Sequence, residues 1–471
     1  MSKQTRRQFL QSGVAAGAAF STFAIGGTKS SGAVLGANDR VRVAVAGING
    51  RGKSHIDGFN KVQNVSVTTV IDPDSRLFAK HQGRTCVQDV REALDDKNID
   101  VVTVATPNHW HSLMTIWACQ AGKDVYVEKP LSHNVSEGRR CVEAARYYKR
   151  MVQHGTQQRS TDSRAREIDI VHSEKYGKLR VSKGYCCKPR WSIGTKPTEK
   201  PPAGLDFNVW LGPAPEQPYH GNLVHYNWHW FWDTGNGDTG NQGVHEMDVA
   251  RWAIKGATLP TKVWSLGGRF GYEDQGETPN THLSVYEYDD VLLLFETRGL
   301  VTKHKKFPFV VKNEYYTTEG MIVNGKFYPN GGGKAESITS SDATVTPGGP
   351  FGSFIQAVRS RDRADLNADV EVGHYSAALC HLGNISLRRG KQVPFDGKKN
   401  ALGDNKQDVE SFNTVRENLK AVGMNLNEST YQLGRTLNLD PKTETFIGDK
   451  QANRMLTREY RAPFTVPAKI G

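Results

Sequence analysis

The sequence lacks the features that define several large classes of protein. It has no run of about 18 or more apolar residues and a mean hydropathy of −0.56, so a protein with several membrane spans is excluded. Its six cysteines form no Cys-x-x-Cys pair and are too scattered for a disulfide scaffold or a zinc site. Its basic residues are spread along the chain rather than clustered, which argues against nucleic-acid binding. We therefore expect no metal site and no nucleic-acid partner.

The composition that remains is that of an ordinary globular protein. Hydrophobic residues make up 37% of the 471 positions, and 47 glycines are present as well, which together suffice for a sizeable core. The length fits two or three domains. The net charge of +12 indicates a solvated basic surface or an attraction for an anionic sugar or cofactor.

The N-terminus reads as a targeting signal. Thr5-Arg6-Arg7-Gln8-Phe9-Leu10 is a twin-arginine pattern, and a short apolar stretch rich in Ala, Gly and Phe follows from Val14 to about Gly27. We predict a twin-arginine signal peptide over residues 1–37, removed or retained as an anchor, with export to the periplasm by the twin-arginine translocation machinery. The alternative is a chance Arg pair before a disordered arm.

A dinucleotide-binding pattern begins immediately afterwards. Residues 41–46 alternate as a Val-rich strand, a glycine-rich turn and a short helix follow, and a second strand over 65–71 ends at Asp72. This order predicts that the turn cradles a pyrophosphate and that Asp72 binds a ribose diol; an ordinary glycine turn is the alternative. Asn49 stands where the motif usually has its middle glycine. The residues predicted to form the turn are Gly47, Asn49, Gly50 and Gly52.

The acid at the end of the second strand bears on which nicotinamide cofactor binds. A carboxylate at position 72 would repel a 2′-phosphate, so Asp72 favours NAD. Arg76 lies close enough in sequence to leave NADP as an alternative.

Further polar residues follow the later strands of the predicted sheet. A buried strand over 101–105 leads into Thr106, Pro107, Asn108 and His111, and another over 125–127 leads into Glu128-Lys129-Pro130. Ligands of open α/β sheets bind beyond the carboxyl ends of the strands, so these side chains should meet at one edge. For His111 alone, local hydrogen bonding at a helix start is an equally good interpretation.

In this order and spacing, these motifs resemble the Gfo/Idh/MocA oxidoreductases over about residues 40–400. The resemblance implies an α/β fold: an N-terminal Rossmann domain with a doubly wound parallel sheet, then a C-terminal α/β domain with an open, mostly antiparallel sheet. It implies a catalytic Lys129, often before a cis bond to Pro130. It also implies cofactor contacts from Thr106, Pro107, Asn108, His111, Glu128, Lys129 and Gln157.

The second domain is expected to supply the acid–base group. In the sequence 233–252 a glycine-rich loop leads into a helix, and Asn241 and His245 lie one helical turn apart. The segment resembles the family's Asp-x-x-x-His pattern with Asn241 in place of the acid. Asn241 can bond a hydroxyl but cannot act as a base, so we predict His245 as the general base, its ordinary pKa of about 6.5 suiting proton transfer near neutrality. A buried, hydrogen-bonded helix histidine is the alternative.

Substrate contacts are harder to predict. The aromatic run Tyr226–Trp232 suits either sugar stacking or core filling. We expect Arg159, Arg190 and Trp191 to contact the substrate. We divide the chain into a signal peptide (1–37), a nucleotide-binding domain (38–160), a substrate domain (161–400) and a C-terminal extension (401–471) without a recognised motif.

Three functions compete at this point. The leading one is an exported NAD(P)-dependent oxidoreductase acting on CH–OH groups of a sugar, sugar acid or cyclic polyol, with a tightly bound cofactor and a homo-oligomeric state. The second is an NAD-dependent glycoside hydrolase that works by transient oxidation and elimination. The third is a non-catalytic nucleotide- or sugar-binding sensor, which the substitution at Asn241 would explain.

Overall fold

The computed structural model describes residues 39–300, 309–395 and 405–471. The predicted signal peptide lies outside these residues. Among the residues described, no helix is both long enough and apolar enough to cross a bilayer.

The first sheet has six parallel strands in the order β3-β2-β1-β4-β5-β6. This is the doubly wound arrangement expected for a Rossmann domain. Its strands are β1 (Val41–Ala46), β2 (Val65–Ile71), β3 (Thr85–Val87), β4 (Val101–Val104), β5 (Asp124–Val127) and β6 (Val152–His154). Its helices are α1 (Arg51–Asn60), α2 (Val90–Leu94), α3 (Asn108–Gln120) and α4 (Val135–Tyr147).

The central strands are uniformly apolar because both faces of this sheet are covered. Ala44 and Val104 point into one core with α3 and α4, whereas Val43 and Val45 point into the other core with α1. That second core also receives Phe354 and its neighbours from α8 (Gly349–Ser360), which comes from much later in the chain. Residues beyond 160 therefore complete the first layer.

The second sheet has twelve strands and is mostly antiparallel, as the resemblance implies; only β7 and β10 pair in parallel. Ten strands follow the order β14-β13-β12-β11-β7-β10-β9-β8-β16-β15, while β17 pairs with β8 and β18. The strands are β7 (Leu179–Cys187), β8 (Lys262–Gly268), β9 (Thr281–Tyr288), β10 (Val291–Arg298), β11 (Val310–Thr317), β12 (Gly320–Val323), β13 (Lys326–Pro329), β14 (Glu336–Ser337), β15 (Lys391–Pro394), β16 (Thr430–Leu433), β17 (Leu437–Asp440) and β18 (Thr445–Phe446).

The helices of this second part pack on both faces of its sheet. α9 (Val370–Arg388) contacts both α4 and β8 and so joins the two layers. α10 (Lys406–Ala421) packs Phe412, Val415 and Leu419 onto the opposite face. The remaining helices are α5 (Asp162–His172), α6 (Phe207–Leu211), α7 (Val244–Trp252) and α11 (Lys450–Arg454).

The last seventy or so residues pack against both layers of the structure rather than against one alone. β16 and β17 extend the second sheet beside β8. The chain then returns to the first domain, where Phe464 and Val466 are buried against Trp110 and its neighbours. The tail thus straps the two layers together.

Twelve histidines in the described part of the chain have a lowered pKa because burial disfavours the imidazolium ion. Among them the pKa falls to about 3 for His109, His245 and His381 and to about 4 for His154, His229 and His282. Each is neutral when folded but takes up a proton below its ordinary pKa when unfolded. Two buried carboxyls with a pKa raised to about 7, Glu246 and Asp408, act in the opposite sense and are outnumbered.

We predict that acidification from pH 6.5 to pH 4 destabilises the protein steeply. The unfolded chain binds more protons than the folded one in this window, so each such histidine removes up to about 1.4 kcal/mol of unfolding free energy per pH unit. The thermal midpoint of unfolding, measured between pH 8 and pH 4, should be level above pH 7 and fall below pH 6.5. A midpoint that stays constant or rises between pH 6.5 and pH 4.5 would contradict this prediction.

Candidate functional site

A cavity of about 430 Å³ opens where the carboxyl ends of β1, β2, β4 and β5 meet the second domain. Its walls contain every residue predicted to contact a cofactor except Gly52, together with Asn241 and His245. The roles of these residues stay predictions, but the structure brings them to one place. The predicted residues that line it are Gly47, Asn49, Gly50, Asp72, Thr106, Pro107, Asn108, His111, Glu128, Lys129, Gln157, Asn241 and His245.

The glycine-rich turn after β1 is shaped by close backbone contacts. Gly47 has φ +82°, and a Cβ there would lie 2.6 Å from the carbonyl oxygen of Ala105. A Cβ on Gly52 would lie 2.0 Å from the carbonyl oxygen of Gly47, so Gly52 supports the turn from beneath. Gly50, by contrast, faces open space at the start of α1. The turn therefore presents backbone and a helix N-terminus to the cavity, a combination that suits a phosphate group.

Asp72 lies at the end of β2, at the far side of this turn. Its carboxylate accepts hydrogen bonds from the backbone N–H groups of Ile48 (2.9 Å) and Asp74 (3.0 Å). Burial nevertheless raises its pKa. Asp72 thus fixes the glycine-rich turn and still offers carboxylate oxygen to the cavity.

A second acid near Asp72, Asp74, binds the guanidinium group of Arg76. Asp74 accepts hydrogen bonds from Nε (2.7 Å) and Nη2 (2.6 Å) of Arg76, and Nε2 of His225 lies 2.9 Å from its Oδ2. The Arg76 guanidinium holds the pKa of Asp74 below its usual value, against the effect of burial. Arg76 is therefore engaged by a carboxylate rather than free for a 2′-phosphate. The sequence reading did not anticipate Asp74 or His225.

The carboxylate of Glu128 is buried at the end of β5 and gathers three elements around it. Its Oε1 accepts hydrogen bonds from Arg51 Nε (2.8 Å) and Gln157 Nε2 (3.0 Å) and lies 3.1 Å from His55 Nε2. Burial opposes its ionisation, but His55, Arg51 and the neighbouring Lys129 together hold its pKa well below its usual value. Glu128 stays charged and ties α1 to the ends of β5 and β6. Neither Arg51 nor His55 was singled out from the sequence.

Lys129 follows directly and reaches across to the second domain. The Lys129–Pro130 peptide bond is cis, as the resemblance implies. The Lys129 ammonium donates a hydrogen bond to the backbone carbonyl of Asn241. Burial lowers the lysine's pKa, while the charge of Glu128 partly opposes that shift. The ammonium is thus a fixed positive donor on the cavity wall, and it joins the two domains at this point.

Asn241 and His245 share this wall although they do not belong to one regular α-helix. Asn241 lies in a wider π-helical turn over Thr239–Gly243, and α7 begins only at Val244. The imidazole of His245 has a pKa of about 3, lowered first by burial and then by the charge of Lys129. The expectation of a pKa near neutrality therefore needs correction, because the ring is neutral at every physiological pH. It is held in the form that accepts a proton.

His111 and Asn108 begin α3 and are both engaged in structural bonds. The two ring nitrogens of His111 lie 2.6 Å from the carbonyl oxygen of Pro130 and 2.8 Å from that of Thr106. A neutral imidazole donates from one nitrogen only, so only one of these two contacts is a hydrogen bond. Asn108 donates to the side chain of Asn236 (3.1 Å). His111 thus holds together the two turns that carry the cavity motifs.

The three residues expected to touch substrate do not line this cavity. Arg159 is buried and paired with Asp248, with Nε 2.8 Å from Oδ2. Arg190 forms a two-pronged ion pair with Asp238, at the start of the turn that carries Asn241. Trp191 is 75% exposed. The structure brings none of them to the cavity: both arginines neutralise buried acids, which a sequence does not reveal, and Trp191 faces solvent.

The aromatic run is divided between the cavity wall and the core. Tyr226 and Trp228 line the cavity, whereas Trp230 and Phe231 are buried. Sequence reasoning also missed other residues of the wall, for which no local motif exists. These include Gln88, Met114, Val209, Trp210, His225 and Gln242.

Comparison with known proteins gives this arrangement a class. Residues 41–156 match a domain described as "Oxidoreductase family, NAD-binding Rossmann fold", and residues 177–421 and 411–466 match "Oxidoreductase family, C-terminal alpha/beta domain". The chain therefore belongs to the Gfo/Idh/MocA oxidoreductase family.

Individual relatives align over shorter stretches. A glycosyl hydrolase family 109 protein of Shewanella pealeana is 30% identical over 132 residues, which cover 25% of this chain and 29% of that protein. An inositol 2-dehydrogenase of Leifsonia xyli subsp. xyli is 29% identical over 149 residues, covering 31% and 44%. The chain thus spans less than half the length of these curated relatives.

Solved structures share the fold at low sequence identity. Levoglucosan dehydrogenase in complex with NADH is 17% identical, with a TM-score of 0.54, over 72% of this chain and 96% of that one. The WlbA dehydrogenase from Bordetella pertussis, in complex with NADH and UDP-GlcNAcA, is 16% identical, with a TM-score of 0.54, over 72% and 94%. At this identity, the likeness shows the fold.

The cavity fits the nicotinamide cofactor of that family on its own geometry. The open backbone at Gly50 and the N-terminus of α1 suit a pyrophosphate, and Asp72 lies where a ribose would end. Lys129 and His245 line the same cavity where it meets the second domain. Within the described residues, no group of three His, Cys, Asp or Glu side chains could hold a metal ion.

We predict that replacing the buried carboxylate, Glu128→Gln, lowers the unfolding free energy by about 2–4 kcal/mol, because Arg51 loses its charged partner while remaining half-buried. The matched control is Glu287→Gln, which removes an exposed partner of Lys262 and should cost about 1 kcal/mol or less. Thermal unfolding of both variants at pH 7.5 tests this. Equal midpoints for the two variants would show that Glu128 does not organise the cavity.

Proposed function

We propose that this chain is an exported, NAD-dependent oxidoreductase that acts on a CH–OH group of a sugar, sugar acid or cyclic polyol. The observation that carries the proposal is the meeting of Lys129, from the first domain, with His245, from the second, on one wall of the cavity. Asp72 and the glycine-rich turn line the same cavity. A carbohydrate bound between Lys129 and His245 would lie beside the nicotinamide of a cofactor held by that turn.

The two residues divide the chemistry between them. NAD, when bound, supplies the hydride acceptor. Neutral His245 accepts a hydrogen bond from the reacting hydroxyl and takes its proton as the carbonyl forms. The ammonium of Lys129 stabilises the charge that develops on the same oxygen. Asn241 orients a hydroxyl through its amide without taking a proton, and Tyr226 and Trp228 offer ring faces to the sugar.

We infer NAD rather than NADP from the acids at the ribose end. Asp72 and Asp74 place two carboxyl groups there, and Arg76 is already bound by Asp74. Export follows from the twin-arginine pattern, and a soluble NAD pool is scarce outside the cytoplasm. The proposal therefore includes a tightly held cofactor that is recycled within the site. It also includes a homo-oligomeric assembly.

We expect Lys129→Ala and His245→Ala to lower turnover without releasing the cofactor. Loss of the positive donor should cost about 10²–10³-fold and loss of the base about 10²–10⁴-fold. Asn241→Asp should retain activity if Asn241 only positions substrate. Sugar-dependent absorbance at 340 nm measures turnover, and calorimetric titration measures NAD affinity. Lys255→Ala, on the exposed surface, is the control for loss of a lysine.

Either of two results would overturn this assignment. One is parental turnover in both Lys129→Ala and His245→Ala. The other is loss of NAD binding in either variant while Asp72→Ala still binds NAD.

We expect Asp74→Ser to shift preference toward NADP by about tenfold or more, because it removes a carboxylate and releases the Arg76 guanidinium for a 2′-phosphate. The control, Asp290→Ser, removes an exposed partner of Lys178 and Arg180 far from the glycine-rich turn and should leave the ratio unchanged. Calorimetric titration with NAD and NADP gives both constants. If Asp74→Ser leaves the ratio of the two constants at the parental value, Asp74 does not set the preference.

A hydrolytic function is the second candidate, favoured by the similarity to glycosyl hydrolase family 109 proteins. The same site could pass a hydride from a glycoside to bound NAD, after which His245 could remove the acidic proton beside the new carbonyl so that the aglycone is eliminated. Water would then add to the resulting double bond, and the hydride would return from NADH to the carbonyl, so that the net reaction is hydrolysis. Aryl glycosides discriminate between the two functions. Release of the phenol with no net NADH would support hydrolysis, and stoichiometric NADH without release would support oxidation.

A further inference from the structure

A second, smaller cavity of about 200 Å³ lies behind the loop that carries the proposed catalytic turn. It shares no lining residue with the cavity of the proposed site. Its floor contains His133, Asn236, His381 and Asn384, all buried, and its rim contains Trp232, Asp233, Arg388, Arg454 and Arg458. We call this the rear cavity.

The rim of the rear cavity carries an excess of positive charge. Arg388 packs over the ring of Trp232, 4.7 Å from its centroid, and forms no hydrogen bond or ion pair with any residue the structure describes. Arg454, at the end of α11, likewise has no such partner among residues 39–300, 309–395 and 405–471. Asp233 is the one acid among the described residues that line this cavity. Two guanidinium groups are therefore available to a ligand.

Arg458 reinforces this charge from a deeper position. Its Nη1 donates to the backbone carbonyl of Asp233 (2.7 Å), and its Nε lies 3.6 Å from the carboxylate of Glu137. Its Nη2 is buried and makes no hydrogen bond within the described part of the chain. Arg458 is thus held in place by the protein while one of its donors stays unused.

The floor holds an unpartnered histidine. His133 is 8% exposed, and neither ring nitrogen has a hydrogen-bond partner in the described residues beyond a weak approach to the Trp232 backbone. Its backbone is fixed, since its N–H donates to Glu137 (3.0 Å) and its carbonyl accepts from Asn236 (3.0 Å). A buried polar group left unbonded in a rigid setting is costly unless a ligand or water meets it.

We propose that the rear cavity is a binding site for a small oxyanion, a carboxylate or a phosphate group. Arg388 and Arg454 supply charged donors at the rim, Arg458 supplies the unused Nη2, and the neutral ring of His133 supplies a donor at the floor. Guanidinium groups match the geometry of both oxyanions. Asn236 connects this site to the proposed active site, because its side chain accepts from Asn108, which lines the cofactor cavity.

Calorimetric titration with two probes, inorganic phosphate and acetate, tests the proposal. The protein is first saturated with NAD, so that the glycine-rich turn is not available to phosphate. Sodium chloride at matched ionic strength gives the background. We expect at least one probe to bind above that background, and the tighter of the two identifies the source of the oxyanion.

Variants then locate the site. Arg388→Gln and Arg454→Gln lie at the exposed rim and should each weaken binding by about tenfold, and His133→Asn should weaken it as well. Arg363→Gln, an exposed arginine elsewhere, should bind as the parent does. The proposal is overturned if neither probe exceeds chloride, or if Arg388→Gln and Arg454→Gln bind like Arg363→Gln. Because the readout is anion binding, it is independent of any turnover by Lys129 and His245.

Discussion

The arrangement of the cavity depends on one buried carboxylate, that of Glu128, whose charge must be balanced by neighbouring side chains. Glu128 is 4% exposed and ionised, and an unpaired charge at that depth would be prohibitive. Arg51, His55 and Gln157 therefore converge on it from α1 and from the chain after β6. Lys129 follows in sequence and is placed toward the second domain. The position of the proposed catalytic lysine is thus a consequence of how the carboxylate before it is compensated.

The same electrostatics set the charge of the proposed base. Burial and the positive charge of Lys129 both keep the imidazole of His245 neutral. In the proposed reaction a neutral imidazole can accept the hydroxyl proton, and the adjacent ammonium can stabilise the charge that develops on the oxygen. Because the two residues come from different domains, the packing of α9 and the C-terminal strap on both layers maintains their proximity.

Much of the fold was predictable because its signals are local. The Val-rich strands of the first sheet, the glycine-rich turn and the carboxylate at Asp72 occur in one order along the chain, and that order fixes a parallel sheet and one binding edge. The resemblance to the Gfo/Idh/MocA family also predicted the second, mostly antiparallel sheet. In contrast, no local stretch of sequence predicts that Phe354 packs on the first sheet or that Phe464 packs against the first domain. These contacts join segments far apart in sequence.

The residues of the site likewise divide into those that local motifs predict and those that they do not. Residues that follow strands, such as Lys129, were predicted in place, because strand ends share an edge. Arg159 and Arg190 were predicted as substrate contacts, but each neutralises a buried acid, Asp248 and Asp238, that only the folded chain brings near. His225 likewise carries no motif and is defined by its contact with Asp74. Ion pairs between residues that lie far apart along the chain are therefore the feature that the sequence does not reveal.

The central claim is that a nicotinamide cofactor and a carbohydrate meet between Lys129 and His245. Purifying the mature protein natively, releasing any bound nucleotide with acid and identifying it, and then screening sugars for a change in absorbance at 340 nm tests this directly. The claim predicts NAD or NADH in the released fraction and a sugar or polyol that changes its redox state. A protein that neither carries nor binds a nicotinamide nucleotide, or whose bound nucleotide responds to no carbohydrate, would contradict it.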